Sequence, residues 1–442
     1  MADIVIFYEL PERELNNANL LKAEFERRGY SVEIKDYWNY REIVFPIKEK
    51  PKLVIAQSGY DNSDLERFTL RFKPKIDKML NMRYEQVIAK RILNSSLHYP
   101  RENMKNMSHI CWSHHIKEEM IKQGIPEKNL PVTGDIKTDF SNPKFDSFYK
   151  SKKDLANEFD LDVNKEWILF ISSFTFNEND DDKRLIRLNN NLEDGKYMQK
   201  WDIESKKILM SWIKEFLENH PEKEFIYRPH PVEYNVMSED VDMYTLEKEY
   251  PNFHYISKYA IQEWIRPCDY LNTILSTSII DVYLLEKQCN ILRPVPLDPD
   301  FDNPLLAHAN SIDSYELFEK ANTTKIENSF PISDEDVNKY YYFGEKLAYE
   351  LICDYAEEMI NDDSFKADFY PSKSNFLRLK FIIRKSLTMP KIIPTVIKSA
   401  FRNKSSTSKT EKDSIYAINA NKIKKIIKGW VSWNSQIMMI IH

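Results

Sequence analysis

Glycine is scarce in this chain, at 7 of 442 residues. Neither G-x-x-x-x-G-K-[ST] nor G-x-G-x-x-G occurs, so the usual glycine-rich phosphate loops are excluded and any grip on a phosphate must come from side chains and helix starts. Cysteine is equally sparse. Cys111, Cys268, Cys289 and Cys353 are far apart and form no CxxC pair, which speaks against a disulfide-stapled scaffold and for a reducing, cytoplasmic setting. No apolar run reaches the roughly 18 residues of a spanning helix. The N-terminus enters the strand-like run Ile4–Tyr8 with no basic leader or long apolar stretch, so no signal peptide is expected.

What is present is a soluble, charged composition, 42% hydrophobic and 30% charged, on a chain long enough for two or three domains. The net charge of -6 hides an asymmetry. Residues 371–442 carry fifteen Lys or Arg and only two acids, Glu411 and Asp413, a balance of +13 that leaves -19 for the rest. Within that tail, Phe376 to Lys385 and Lys422 to Lys428 interleave apolar and basic positions. Basic amphipathic helices of this kind lie on anionic membrane surfaces, so a peripheral position on the inner membrane face is expected. The alternative is a packed appendage whose lysines snorkel.

The order of elements is α/β. Ile4–Tyr8, Tyr30–Ile34, Lys52–Ala56 and Ile110–Trp112 read as strands, with helices over Leu15–Arg28 and Ile116–Gln123 between them. A polar, lysine-rich stretch around 151–165, with one short helix, separates this half from a second cycle opening at Trp167–Ser173. Asn177–Asn191 reads as a loop, Ile203–Glu218 as a helix, and Ser333 as the cap of a long helix running to about Ile360. The division expected is 1–150, a linker at 151–165, 166–362, and the basic tail from 371. Both halves should be doubly wound, with mostly parallel sheets.

Two segments carry the chemistry. Arg228-Pro229-His230-Pro231 follows the apolar run Phe225-Ile226-Tyr227 and so stands at the carboxyl end of a strand, where open α/β sheets bind ligands. Arg228 has the planar fork that matches phosphate oxygens. His230 can neutralise a diphosphate or act as an acid or base near neutral pH; prolines alone would equally explain a sharp surface turn. Glu233 would orient His230 or accept a ribose hydroxyl. Downstream, Asp269–Leu275 reads as a strand and runs into Ser276-Thr277-Ser278 and a helix with Asp281 in its first turn. Hydroxyls at a helix start suit an anion, although a plain capping cluster has the same composition.

In the first half, Glu9 ends the first strand, and Glu85 and Asp135 are further carboxylates at strand ends. Any of them could take a proton from an acceptor hydroxyl. His109, His114 and His115 with Cys111 lack a second pair at zinc spacing, and no metal site is expected.

The stretch Tyr227–Glu233 resembles the "RPHPxE" turn of bacterial surface carbohydrate biosynthesis proteins, a capsule and cell-wall polymer group of GT-B glycosyltransferases. Cys268–Asp281 is similar to their second, serine-rich segment. Both features also occur in CDP-glycerol glycerophosphotransferases and, more loosely, in Kdo transferases. The likeness spans about residues 3–310 and stops short of the basic tail. It implies two Rossmann-like halves facing a cleft, donor on the second and acceptor on the first. The implied reaction is metal-independent transfer of a sugar from a nucleotide-activated donor to a glycan or lipid-linked acceptor, with no cofactor and no nucleic-acid partner. Arg228, Glu233, Ser276, Thr277, Ser278 and Asp281 would bind the donor, and His230, Glu9 and Glu85 would be catalytic. A polyol-phosphate transferase and a non-catalytic scaffold are the alternatives, with a sugar-nucleotide epimerase of the same two-halved shape a weaker third, since the basic tail would then have no purpose.

Overall fold

The computed structural model describes residues 2–39, 41–86, 89–91, 99–189, 191–230, 233, 241–306, 309, 311–324, 332–369 and 419–427. The chain divides into two compact units. The first comprises 1–85, 100–136 and 342–442, and the second 86–99 and 137–341.

The first unit is built on five parallel strands: β1 (Ile4–Tyr8), β2 (Val32–Asp36), β3 (Leu53–Ala56), β4 (Met79–Asn81) and β5 (Ser108–His109), in the order β2-β1-β3-β4-β5. Strands β1 and β3 are apolar along almost their whole length and almost wholly buried, the pattern of a parallel sheet covered on both faces. Phe7, Phe68 and Phe72 pack together in this core. The helix Pro11–Arg27 follows β1, with proline at its first turn. There the missing N–H costs nothing.

Strand β5 occupies the two residues immediately before the expected Ile110–Trp112. Cys111 instead forms an isolated parallel bridge to Val132. The turn at Gly134 requires glycine, because its φ is +83° and a Cβ would come within 2.5 Å of the Tyr342 carbonyl oxygen. Tyr342 is pinned to the same unit by its N–H, which donates to the Trp112 carbonyl at 2.7 Å.

The second unit carries six parallel strands: β6 (Trp167–Ile171), β7 (Glu224–Arg228), β8 (Phe253–Tyr255), β9 (Tyr270–Thr273), β10 (Asn290–Leu292) and β11 (Ser311–Ile312). Their order, β11-β10-β9-β6-β7-β8, is the Rossmann arrangement, with the first strand of the unit central and the chain winding outward in both directions. Its core gathers Phe170, Phe174, Trp212, Phe216, Phe225 and Tyr227 between the sheet and the helix Leu192–Asn219.

Three expectations change. The segment 177–191 is not a loop throughout, since Asp182–Asn189 is helical, with Leu185 buried. The long helix from Ser333 is two helices, Asp334–Tyr340 and Ala348–Asn361, separated by an extended stretch. The second belongs to the first unit, where Arg28 pairs with Asp354 at 2.7 Å and Glu357 at 2.6 Å. Residues 137–150, grouped by sequence with the first half, fall in the second unit. Arg266 holds them there by pairing with Asp146 at 2.7 Å and stacking its guanidinium 4.2 Å from the Tyr149 ring centroid.

Of the basic tail, 376–385 lies outside the described residues. Residues 419–427 form a helix whose Ile423 and Ile427 are buried. Lys424 pairs with Glu26 at 2.8 Å and Asn419 bonds Asn16 at 3.3 Å. This part of the second amphipathic stretch therefore lies along the helix Pro11–Arg27 and turns its isoleucines into the first unit. Among the described residues, no helix is long and apolar enough to cross a membrane.

Candidate functional site

In a Rossmann sheet, the loops leaving the central strand and its neighbours diverge at the carboxyl edge and open a crevice. Here that edge is formed by the ends of β7, β6 and β9. Ile171, the last residue of β6, is register partner to Arg228 on one side and to Thr273 on the other. With neighbouring strands about 4.8 Å apart, the arginine turn and the hydroxyl segment leave the sheet about two strand spacings apart, on either side of β6. They are also tied to the loop after β6. The Ser172 N–H donates to the Arg228 carbonyl at 3.0 Å, and the Leu275 N–H donates to Ser173 Oγ at 3.1 Å.

A buried polar network underlies the turn. Glu233 is wholly enclosed. Its carboxylate accepts from Ser172 Oγ at 2.7 Å, from the Tyr227 hydroxyl at 2.8 Å and from the His230 backbone N–H at 3.2 Å, and Lys206 Nζ lies 3.1 Å away. Of the two roles expected for Glu233, this geometry supports orientation of the His230 segment, because the carboxylate has no exposed face for a ribose. Beside it, Asp202 accepts from the Thr175 and Phe176 N–H groups, each at 2.8 Å. Burial, with the Glu233 charge adding to it, pushes the Asp202 carboxyl up to about 7.

Arg228 is half-buried and donates to the carbonyls of Ile256, at 3.0 Å, and Tyr259. Tyr259 is a non-glycine residue at φ 69°, and the guanidinium helps to hold that strained corner. His230 is half-buried beside the buried Pro229, while Pro231 lies outside the described residues.

The hydroxyl segment does not cap its helix. Ser278, the residue before Ile279–Leu284, has helical dihedrals and makes no side-chain capping bond. Ser276 Oγ accepts from the Ser278 N–H at 3.1 Å. Thr277 is exposed, Ser278 half-buried and Ser276 nearly buried. Asp281 is fully enclosed, paired with Lys137 at 2.7 Å and accepting from the Gln262 amide at 2.9 Å. It anchors the short helix from beneath.

The first unit has its own edge, where β1 and β3 lie side by side and the order reverses. Glu9 stands just past β1. The N–H groups of Glu9 and Leu10 donate to the buried Glu14 carboxylate at 2.6 and 3.3 Å, so the helix Pro11–Arg27 is satisfied by its own glutamate. Burial and repulsion by Glu14 raise the Glu9 carboxyl to about 6, against the pull of Arg13. Glu85 is about half exposed and pairs with Arg13 at 2.5 Å. Just past β3, Gln57 is wholly buried, and among the described residues neither its amide nitrogen nor its amide oxygen has a hydrogen-bond partner. An unmatched buried polar group costs about 1–3 kcal/mol. His109 is a core residue between Asn81, at 3.2 Å, and the Met104 carbonyl, at 2.9 Å, and burial holds its ring near a pKa of about 3.

No family model and no curated protein matches the chain. Solved structures do. A wall teichoic acid polymerase, TagF, is similar over 81% of this chain and 89% of its own, at 11% identity and a TM-score of 0.54. MnaA from S. aureus, solved with UDP, is similar over 84% of this chain and 100% of its own, at 12% identity and a TM-score of 0.50. The UDP-GlcNAc 2-epimerase of Methanocaldococcus jannaschii aligns over 80% and 99% at 14% identity, with a TM-score of 0.49. At such identities the likeness is one of fold, and the first two structures carry it.

The fold is GT-B.

Within the GT-B scaffold the arginine turn and the hydroxyl segment were legible in sequence, but several groups around them were not. Lys206, Asp202, Lys137 and Gln262 reach the two segments from helices and loops distant in sequence, and each is an ordinary polar residue where it occurs. Gln57 did carry a signal. A glutamine directly after the apolar run Leu53-Val54-Ile55-Ala56 sits at a buried strand end of a GT-B unit, where a polar side chain is unusual.

Proposed function

We propose that this protein transfers a sugar from a nucleotide-activated donor to a surface polysaccharide or its lipid-linked precursor, without a resident metal. The observation that carries this reading is the shared register partner, Ile171, which aligns Arg228 and Thr273 at one sheet edge. A cationic fork and a run of hydroxyls at strand ends on either side of β6 suit the two phosphates of a nucleoside diphosphate. As the bond between the sugar and the phosphate oxygen breaks, negative charge grows on the leaving diphosphate. Arg228, His230 and the Ser276–Ser278 segment would stabilise it, the kind of preorganised electrostatic effect that usually dominates catalysis. Glu233 and Asp281 hold these groups in place from below.

Glu9 takes the proton from the acceptor hydroxyl. A carboxyl raised to about 6 is still ionised near neutral pH and is a stronger base than an ordinary glutamate. Glu85 is the weaker candidate, since its carboxylate is already engaged by Arg13 at 2.5 Å.

Thermal-shift titration with UDP, CDP and GDP tests the donor half directly. Stabilisation by one nucleotide, lost in Arg228→Ala, supports the reading; no response to any of them removes it. A second reading is a polyol-phosphate transferase, favoured by the fold shared with a wall teichoic acid polymerase. It differs in product, releasing a nucleoside monophosphate where a diphosphate-sugar donor leaves a diphosphate. Turnover in EDTA equal to that in magnesium is expected under either.

A further inference from the structure

The helix at 419–427 carries two kinds of side chain. Ile423, Ile426 and Ile427 are apolar, and Lys422, Lys424 and Lys425 are cationic. Positions 423 and 427 are four apart and share one face of the helix. Both are buried, at 0% and 3% exposure, while Lys424 and Lys425 are exposed.

Two polar contacts join this helix to Pro11–Arg27, and both are of a weak kind. Lys424 pairs with Glu26 at 2.8 Å, but the two side chains are 49% and 28% exposed. Ion pairs so open to water contribute little, and Glu26 has a second cation, Lys22, at 3.4 Å. Asn419 Nδ2 donates to Asn16 Oδ1 at 3.3 Å, beyond the usual range for such a bond. Burial of the two isoleucines is therefore the larger part of the docking. That attraction is non-directional, so any apolar surface can supply it. A helix of nine residues does not persist alone in water. Once detached, it stays helical only on another surface.

The side chains specify what that surface is. Isoleucines flanked by lysines suit the boundary of an anionic bilayer, where apolar groups enter the acyl region and cations meet the headgroups. On the first unit, Glu26 gives Lys424 the negative partner that a lipid phosphate gives it there. The charge balance acts in both places. A tail of +13 is attracted to a body of -19 and equally to an anionic membrane. One apolar face cannot occupy both.

We propose that 419–427 is a clasp exchanged between two partners: the helix Pro11–Arg27 when no membrane is present, and an anionic phospholipid surface when one is. The packed appendage and the membrane helix are then alternate states of one segment. A bilayer shifts the balance because it binds the detached helix better than the docked one, whose isoleucines are already buried. The clasp lies on the helix whose Glu14 accepts from the Glu9 and Leu10 N–H groups. Any effect of release on turnover rests on the proposed transferase, whereas the exchange itself does not.

Cysteines at the touching pair, Asn16→Cys with Asn419→Cys in the full chain, report the exchange, because all four native cysteines are buried. A short bismaleimide should bridge them in buffer. Vesicles of equal parts phosphatidylcholine and phosphatidylglycerol should slow bridging about tenfold or more, and phosphatidylcholine alone should leave the rate unchanged. In flotation assays the bridged protein should bind the anionic vesicles about tenfold more weakly than the unbridged protein. If the cysteine pair does not fold, Ile423→Ser with Ile427→Ser takes its place. It keeps every lysine and should also bind anionic vesicles about tenfold more weakly than wild type.

The proposal is overturned if anionic vesicles leave bridging as fast as in buffer. It is overturned too if bridged and unbridged protein float equally, which would place the membrane contact elsewhere. Failure of the reagent to bridge the pair in buffer would mean that the docked state is unpopulated. Serine variants that bind as tightly as wild type would exclude the isoleucine face. A missing nucleotide response removes the donor assignment and leaves all these outcomes untouched.

Discussion

The carboxyl edges of the two sheets were made by the same kind of topology and filled in opposite ways. In the second unit the carboxylates beneath the edge are engaged: Glu233 has four partners, and Asp281 has an ion pair with Lys137 and a hydrogen bond from Gln262. In the first unit a carboxylate is held at a raised pKa and an amide beneath the edge is unmatched. That network fixes the backbone around Arg228 and His230. Fold alone would not separate the two; the side chains under each edge do.

Removing the keystone of the second edge should break this contrast most severely. Glu233→Ala removes the wholly buried carboxylate on which Ser172, Tyr227, the His230 N–H and Lys206 converge, and losing one partner of a buried ion pair costs about 3–5 kcal/mol. Urea denaturation should show a midpoint far below wild type, and a midpoint near wild type would mean the network is not structural.

Next in size is His230→Ala, expected to lower turnover about 100-fold or more if it acts on developing charge. Its melting temperature should stay close to that of wild type, since the side chain is half-buried at a turn. A large drop in Tm would instead place the imidazole in the support of the fold.

The first edge can be sharpened by pH. Glu9 is raised from 4.5 to about 6, so the folded state binds more protons than the unfolded state between those values. Its contribution to stability therefore falls as pH rises across that window. Activity should run the other way, increasing as pH passes through about 6 and the base ionises. Glu9→Gln should flatten the stability slope and abolish the acidic limb of the activity profile. Persistence of that limb in the variant would assign it to another group.

The smallest effect is expected in the tail. Lys424→Ala removes a partly exposed pair with Glu26 and should cost less than about 1 kcal/mol. A larger loss would show that the helix at 419–427 depends on that contact more than on Ile423 and Ile427.

Much of the scaffold was readable before any coordinates. Strand β1 has the expected bounds, and β3, β6 and β7 agree within two residues, because each is a short apolar run ended by a polar or turn residue. The break at Tyr341–Leu347 was not readable. Tyr340, Tyr341 and Tyr342 continue an apolar pattern, and only contacts such as the bond from the Tyr342 N–H to the Trp112 carbonyl make an extended path favourable. The helix Asp182–Asn189 was missed for a related reason. Its charged, asparagine-rich surroundings resemble a loop, and what stabilises it is burial of Leu185 against the second unit's core.

At the candidate sites the strand-end motifs were visible and the residues packed beneath them were not. Arg228, His230 and the Ser276–Ser278 run announce themselves by type and by position at a strand end, which are local properties of the chain. Sequence by itself determined the α/β class, the two strand-end motifs and the absence of a glycine-rich phosphate loop, because periodicity and composition act over a few neighbouring residues. Only tertiary structure decided that both motifs flank Ile171, that Glu233 and Asp281 face inward, and that Gln57 is buried without a partner. Those outcomes depend on which distant segments share a core, and pairing across tens of residues leaves no local trace.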